Sequence, residues 1–113
     1  MEKNTNHLQE AYDHLWNGRF RLALQSAKKA YDENPIKSDS LICYAWALLE
    51  NGNPAKAIEN ANLAVEVDPM NSNARMIRGF LLVRMGIFEG AISDLDYAME
   101  ENKKLKERLG IDE

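Results

Sequence analysis

The sequence repeats itself at an interval of 34 residues, and this periodicity constrains the fold more than any local motif does. Glycine recurs at positions 18, 52 and 86, and alanine recurs at 23, 57 and 91 and again at 30, 64 and 98. Asn17, Ala27 and Pro35 return as Asn51, Ala61 and Pro69. Around these landmarks each unit contains two short amphipathic segments joined by a tight turn. A unit of this kind cannot bury its apolar face alone, so neighbouring units are expected to stack.

The composition is that of an ordinary globular domain and excludes several classes of function. The 113 residues suffice for one domain, and the formal net charge is −4 with a pI near 5.2. This balance argues against nucleic acid or an anionic membrane as the main partner, since both attract clustered lysine and arginine. Cys43 is the single cysteine, which excludes an internal disulfide and favours a reducing compartment. The given chain shows neither a signal peptide nor an apolar run long enough for membrane insertion, so we expect a cytoplasmic protein.

Apolar residues spaced three and four apart predict six helices along the chain. These helices cover approximately residues 4–17, 20–34, 38–51, 54–68, 72–85 and 88 onwards. Glycine follows the first helix of each unit, because it readily takes the left-handed conformation that closes a helix. Ser38 is the expected N-cap of the third helix, Asn53 with Pro54 begins the fourth, and Asn71 or Ser72 caps the fifth. The third helix is apolar almost all round, which predicts a place in the middle of the stack.

The last helix lacks the proline that ends the two earlier units. Lys103 stands at that position, and the helical pattern continues to Gly110 with Leu105 and Leu109 one turn apart. We therefore expect residues 103–113 to extend the last helix as a polar cap, because the last unit of a stack otherwise exposes its apolar side. A fraying tail is the alternative, given the high charge of the segment.

The repeating unit resembles the tetratricopeptide repeat, a helix–turn–helix with small residues at its eighth, twentieth and twenty-seventh positions, frequent glycine at the fifteenth and proline at the thirty-second. Ala11, Ala45 and Gly79 occupy the eighth position. Three units, about 4–37, 38–71 and 72–105, cover nearly the whole of a single domain, residues 1–113. The resemblance implies an all-α fold, a right-handed superhelical stack of three helix–turn–helix units (six helices) with a C-terminal helical extension.

In this family the first helix of each unit lines a concave groove that binds partners. The resemblance assigns the second, fifth, ninth, twelfth and thirteenth positions of each unit to this surface. The candidate groove residues are Thr5, Leu8, Tyr12, Trp16, Asp39, Ile42, Trp46, Glu50, Asn73, Met76, Phe80 and Arg84. Tyr12, Trp46 and Phe80 share the ninth position and should form an aromatic ladder along the groove. The alternative is that packing between the helices absorbs these rings.

The resemblance implies a non-catalytic module for protein–protein interaction. Repeats that clamp the C-terminal carboxylate of chaperones carry, at five positions in chain order, lysine, asparagine, asparagine, lysine and arginine. This chain has Leu8, Tyr12, Cys43, Asn73 and Ile77 at those positions. None of the five matches, so the groove is better suited to an apolar or amphipathic segment of a peptide or protein partner. No catalytic motif is present, and we expect no enzyme activity and no cofactor. Two alternatives stay open: self-association into a homo-oligomer through the repeat ends or the C-terminal helix, and a chaperone of the secretion type.

Polar residues on the first helix do not predict a metal site. His7, Glu10 and His14 share one face, but two histidines separated by two turns lie about 10 Å apart along the axis, too far to bind one ion. These side chains are expected to form a solvated end face.

Three further residues depart from the apolar pattern or carry reactive groups. Arg75 and Arg78 are expected either to pair with acidic residues of the second unit or to form a small basic edge at the groove. Cys43 is expected to be a small buried hydrophobic residue, because no lysine or histidine near it in sequence would activate the thiol.

Overall fold

The part of the chain that the structure describes folds into six α-helices and contains no strands. The computed structural model describes residues 6–110. The helices are α1 His7–Trp16, α2 Phe20–Glu33, α3 Ser38–Glu50, α4 Pro54–Val67, α5 Ser72–Arg84 and α6 Phe88–Leu109. The predicted number and order of helices are confirmed. Thr5 and the last three residues of the predicted extension lie outside the described residues.

The first helix of each pair ends in a glycine turn. Gly18, Gly52 and Gly86 have φ angles of 74°, 84° and 78°, which glycine adopts without the strain that a Cβ would bring. After each glycine the next residue donates its backbone N–H to a carbonyl five positions back, as Arg19 does to His14 at 2.8 Å. This closure satisfies carbonyls at the helix end, as in a Schellman motif, while the chain turns into the second helix.

Asparagine side chains cap the first, fourth and fifth helices. Asn6, Asn53 and Asn71 each accept a hydrogen bond from the backbone N–H three residues on, at 3.0, 3.3 and 3.1 Å. Each bond satisfies one of the backbone N–H groups that have no partner within the helix. The caps expected at Asn53 and Asn71 are therefore confirmed.

Ser38 does not cap α3, and that expectation was wrong. The helix begins at Ser38, and Lys37 in the cap position makes no side-chain cap bond. The buried Ser38 hydroxyl instead donates to the Ala64 carbonyl oxygen at 2.8 Å and accepts from Asn71 Nδ2 at 3.1 Å. A buried hydroxyl needs hydrogen-bond partners, and here they come from α4 and from the cap of α5.

α3 lies at the centre of the stack. The helices pair as α1 with α2, α3 with α4 and α5 with α6, and successive pairs meet where α2 packs on α3 and α4 on α5. α1, α3 and α5 also lie side by side. One cluster of buried side chains joins the first and second pairs, a second cluster joins the second and third pairs, and α3 contributes to both. The prediction of a sandwiched apolar helix is confirmed.

Small residues allow the paired helices to approach closely. Ala23, Ala57 and Ala91, at the same position of the three units, are buried. A Cβ on Gly79 would lie 2.9 Å from the side chain of Leu95. Gly79 therefore lets Leu95 of α6 pack directly over the backbone of α5.

The predicted extension is helical. α6 runs unbroken from Phe88 to Leu109, and Gly110, with a φ angle of 71°, ends it. Among the described helices α6 packs against α5 alone. One side of this long helix therefore has no neighbouring helix within residues 6–110.

Candidate functional site

An apolar groove runs across α1, α3 and α5. These are the first helices of the three pairs, and stacking brings them to one surface. The groove has a volume of about 510 Å³. Of the candidate groove residues, those that line it are Tyr12, Trp16, Trp46, Asn73, Met76, Phe80 and Arg84.

The rings of Tyr12 and Trp16 both contact Trp46 at the α1–α3 side of the groove. The ring centroids of Tyr12 and Trp46 lie 6.2 Å apart with an interplanar angle of 55°. Trp16 meets Trp46 edge-on, with centroids 5.1 Å apart and an angle of 85°. Both are favourable geometries for aromatic pairs. Trp16 extends the aromatic surface beyond the predicted ladder, whereas Phe80 lies on α5 at the other side of the same groove.

The exposure of these rings differs in a way that matters for binding. Trp16 is 73% exposed and Phe80 is 52% exposed, whereas Tyr12 and Trp46 are half-buried and pack against both core clusters. Trp16 and Phe80 can therefore gain buried area from a partner, while Tyr12 and Trp46 form the floor. The alternative that packing between the helices absorbs the rings therefore applies only in part: it covers some of Tyr12 and Trp46 and leaves Trp16 and Phe80 exposed.

A row of three linked side chains at one end of the groove holds Trp46 in place. Trp46 Nε1 donates to Glu50 Oε2 at 3.0 Å, and the Arg84 guanidinium forms a short ion pair with the same oxygen. The Glu50 side chain is nearly buried, whereas that of Arg84 is half exposed. Glu50 is thus a support for the groove rather than part of its lining.

The floor residue Tyr12 lies next to Cys43, and the side chains of both are shielded from water. Asn73 Nδ2 lies 3.5 Å from the Tyr12 hydroxyl. Burial raises the pKa of Tyr12 well above its ordinary value, with a smaller contribution from the nearby Cys43. Burial also raises the pKa of the fully buried Cys43 thiol to about 12, partly offset by a hydrogen bond with Tyr12. Both groups are therefore neutral at physiological pH, which suits an apolar floor and not a nucleophile.

We expect the Cys43 thiol to react with a chromogenic disulfide reagent at least about 100-fold more slowly in the native protein than in the unfolded chain. The raised pKa lowers the fraction of thiolate at pH 8, and burial blocks access to the sulfur. The measurement compares the rate at that pH in buffer and in concentrated guanidinium chloride. Similar rates in both would contradict the buried position.

Besides Glu50, three candidate residues do not line the groove, and Ile42 is the clearest correction. Ile42 is fully buried in the cluster between the second and third pairs, because the middle helix is covered from both sides. Leu8 packs against the cluster of the first two pairs and lines a separate cavity of about 360 Å³ beside Glu33 and Lys37. Asp39 accepts a hydrogen bond from Asn71 Nδ2 at 2.8 Å and joins α3 to the α5 cap.

Three residues that line the groove were not among the candidate groove residues. The groove wall is completed by Gln9, Ile77 and Leu81. Each follows directly in sequence after a residue at an assigned position of the repeat. The helical pattern alone could have suggested them as neighbours of Leu8, Met76 and Phe80. It could not show that the space between the helices reaches these three side chains.

Arg75 and Arg78 of α5 meet a buried carboxylate that sequence reasoning missed. Arg78 Nε and Nη2 donate to Asp94 Oδ2 and Oδ1 at 2.6 and 2.7 Å, and Nη1 donates to Asn62 Oδ1 at 3.2 Å. Arg75 Nη1 lies 3.7 Å from Asp94 Oδ1, and its guanidinium lies over the Tyr97 ring at 4.3 Å. The acidic partner belongs to α6 of the same pair. The expectation of acidic partners in the second unit was wrong, and neither arginine forms a basic edge at the groove.

On the polar face of α1, His7 lies close to two glutamates. His7 Nδ1 lies 3.3 Å from Glu10 Oε1, and His7 Nε2 lies 3.6 Å from Glu33 Oε2 on α2. Within residues 6–110 no three histidine, cysteine, aspartate or glutamate side chains are grouped closely enough to hold a metal ion. None of the helices over this range has the length and hydrophobicity of a membrane span.

Stacked helix pairs with a groove across their first helices define a helical-repeat interaction module. The family model of the tetratricopeptide repeat matches residues 8–66 and 44–104. The chain therefore belongs to the tetratricopeptide repeat family, as its repeat pattern predicted. No curated protein sequence matches it.

Solved structures with a similar fold include MamA from Desulfovibrio magneticus RS-1. MamA from residue 41 to its end has a TM-score of 0.67 and 22% identity, over 88% of this chain and 58% of that one. A double mutant of MamA RS-1 gives 0.69 and 20%, over 88% and 56%. This chain thus spans less than two thirds of these two MamA chains.

A second kind of neighbour is a peptide complex. The second tetratricopeptide domain of Spaghetti (RPAP3), bound to the HSP90 peptide SRMEEVD, has a TM-score of 0.66 and 16% identity, over 82% of this chain and 86% of that one. At such identities these likenesses establish the fold.

Proposed function

We propose that this protein is a non-catalytic adaptor that binds an apolar or amphipathic segment of a partner protein in the α1–α3–α5 groove. The observation that carries the proposal is the pair of exposed rings, Trp16 and Phe80, which line the same groove as the floor residues Tyr12 and Trp46. Aromatic side chains in a concave apolar site are frequent anchors for protein partners. The free thiol of Cys43 supports a reducing, cytoplasmic setting for this activity.

The peptide-bound RPAP3 domain supports a peptide as the ligand and also suggests how this groove differs. Its ligand SRMEEVD ends in acidic residues and a carboxylate. In this chain three of the positions that clamp a carboxylate in other repeats hold uncharged residues, namely Tyr12 in the floor and the buried Cys43 and Ile77. Arg84 lines the groove, but Glu50 neutralises its charge. An apolar floor without a free cation cluster favours apolar side chains over a carboxylate. We therefore propose that the partner segment inserts two or three apolar side chains between Trp16 and Phe80.

The two tryptophans of the chain provide the assay. Trp16 and Trp46 both line the groove and contact each other, so a bound apolar segment should shift their fluorescence emission to the blue. Titration with a panel of amphipathic helical peptides, with SRMEEVD as the acidic control, tests the proposal. Saturable shifts with amphipathic peptides alone would support it, and the absence of any saturable shift across the panel would count against it.

Phe80→Ala is expected to weaken the tightest amphipathic peptide at least about tenfold, because an anchor of this size contributes roughly 1.5–3 kcal/mol when fully buried. Since Phe80 is half exposed in the free protein, its loss should hardly change the urea unfolding midpoint. Isothermal titration calorimetry measures the affinity. Phe88→Ala, which removes an equally exposed ring outside the groove, is the matched control.

Equal affinities for Phe80→Ala and Phe88→Ala would argue against binding in the groove. Trp46→Ala is a less specific variant, because Trp46 also packs against both core clusters. We expect that substitution to lower stability as well as affinity.

A further inference from the structure

One end of the stack presents an apolar face that none of the described helices covers. On it lie Val83 of α5 and Phe88, Ile92 and Met99 of α6, and we call this surface the end face. These four side chains are between 42% and 69% exposed. Phe88, Ile92 and Met99 follow each other at intervals of four and seven, so they form one stripe on the helix.

The repeat shows what the end-face positions do in the other two pairs. Val83, Ile92 and Met99 have equivalents 34 and 68 residues earlier, and all of these are members of the core clusters or pack against them. The equivalents are Leu15 and Leu49 for Val83, Leu24 and Ile58 for Ile92, and Tyr31 and Val65 for Met99. In the first and second pairs the next pair therefore packs on this surface. The end face continues an interface that is used twice within the fold.

The opposite end of the stack does not match the end face. The α1 positions equivalent to the buried Leu41 and Tyr44 are the polar residues His7 and Glu10, whose side chains hydrogen-bond to each other. Head-to-tail stacking of two copies would place these polar groups against Val83, Ile92 and Met99, and they would lose water without gaining partners. A contact between two end faces instead joins apolar surface to apolar surface around a two-fold axis.

The charges of α6 favour one direction for that contact. The charged residues between positions 88 and 101 are all acidic, and four of the five between 102 and 109 are basic. The acidic residues are Glu89, Asp96, Glu100 and Glu101, together with the buried Asp94, which pairs with Arg78 within one copy; the basic ones are Lys103, Lys104, Lys106 and Arg108. Two antiparallel α6 helices place the acidic half of one along the basic half of the other, whereas a parallel pair places like charges together.

We propose that the end face binds a second copy of this chain in a two-fold dimer with antiparallel α6 helices. Ile92 of one copy lies opposite Met99 of the other, and Glu89 lies near Lys103 of the other at each edge. The interface then has an apolar centre and a charged rim of complementary sign. The end face shares no residue with the groove, so this proposal does not depend on the proposed peptide binding.

Sedimentation equilibrium from micromolar to millimolar protein tests the dimer. We expect wild-type protein to dimerise and the double variant Ile92→Glu/Met99→Glu to raise the dissociation constant at least about 100-fold, because carboxylates replace the apolar centre in both copies. Both side chains are exposed in one copy, so far-UV circular dichroism should be unchanged. Phe80→Glu, a half-exposed apolar residue in the groove, is the matched control and should dimerise like wild type.

Charge exchange tests the antiparallel direction. Glu89→Lys and Lys103→Glu should each weaken the dimer several-fold, and the two together should restore it, because both copies then carry the exchanged pair. Failure of the combined variant to recover would overturn the antiparallel geometry.

Two results would overturn the dimer itself. One is a wild-type protein that stays monomeric to millimolar concentration, which would mean that the end face is not a contact between two copies. The other is a dimer that Phe80→Glu disrupts and Ile92→Glu/Met99→Glu does not, which would assign self-association to the groove.

Discussion

Replacing Asp94 with alanine should lower the free energy of unfolding by about 3 kcal/mol, the lower end of the range for breaking a buried ion pair. The Asp94 side chain is 1% exposed and accepts two hydrogen bonds from Arg78. Without the carboxylate, the guanidinium groups of Arg75 and Arg78 stay partly buried and lose their counter-charge. Their side chains remain about one fifth exposed, so some water can replace the lost partner, which is why we expect the lower figure.

Urea unfolding followed by circular dichroism measures this effect. Asp96→Ala is the matched control, since Asp96 is an exposed carboxylate on the same helix and its loss should change stability by less than about 0.5 kcal/mol. Equal midpoints for the two variants would contradict a structural role for Asp94. Arg78→Ala/Asp94→Ala should be less destabilised than the sum of the single variants, because removing both charges leaves only Arg75 without its partner.

Replacing Ile42 with alanine should lower the free energy of unfolding by about 2–5 kcal/mol. Ile42 is fully buried in the cluster that joins the second and third pairs, so truncation loses its contacts and leaves a cavity. Peptide affinity of the folded protein should stay unchanged, because Ile42 does not line the groove.

The control for Ile42 is Ile36→Ala. Ile36 is 77% exposed, in the connection between α2 and α3, and its truncation should change stability by less than about 0.5 kcal/mol. If Ile42→Ala retained wild-type stability and lost peptide binding, the family-based assignment of this position to the groove would be correct after all.

The helices and their turns could be predicted from the sequence because their determinants are local. Gly18, Gly52 and Gly86 close a helix through their own backbone conformation, and Asn53 and Asn71 cap helices through a bond three residues away. Such interactions depend on residues within one turn, and a repeat presents each of them more than once. The resemblance to the family then added the stacking order, which the contacts between the helices confirm.

The groove could be predicted only in part. Seven of its lining residues follow from their positions in the repeat, and their part in binding stays a prediction. The assignment of Ile42 was wrong because one position of the repeat has different surroundings in a middle helix than in an end helix. Trp16 meets Trp46 and Asp94 meets Arg78 across helices, and no spacing along the chain predicts which side chains of two helices touch.

The sequence by itself determined that this chain is a stack of three helix pairs, since a period of 34 residues with glycine turns leaves each pair an apolar face that only another pair can cover. Only the tertiary structure decided which apolar residues are covered. Ile42 lies between two neighbours and is buried, while Trp16, Phe80, Ile92 and Met99 reach surfaces where the stack supplies no neighbour within residues 6–110. Burial depends on what lies across from a side chain, and the repeat specifies only the side chain.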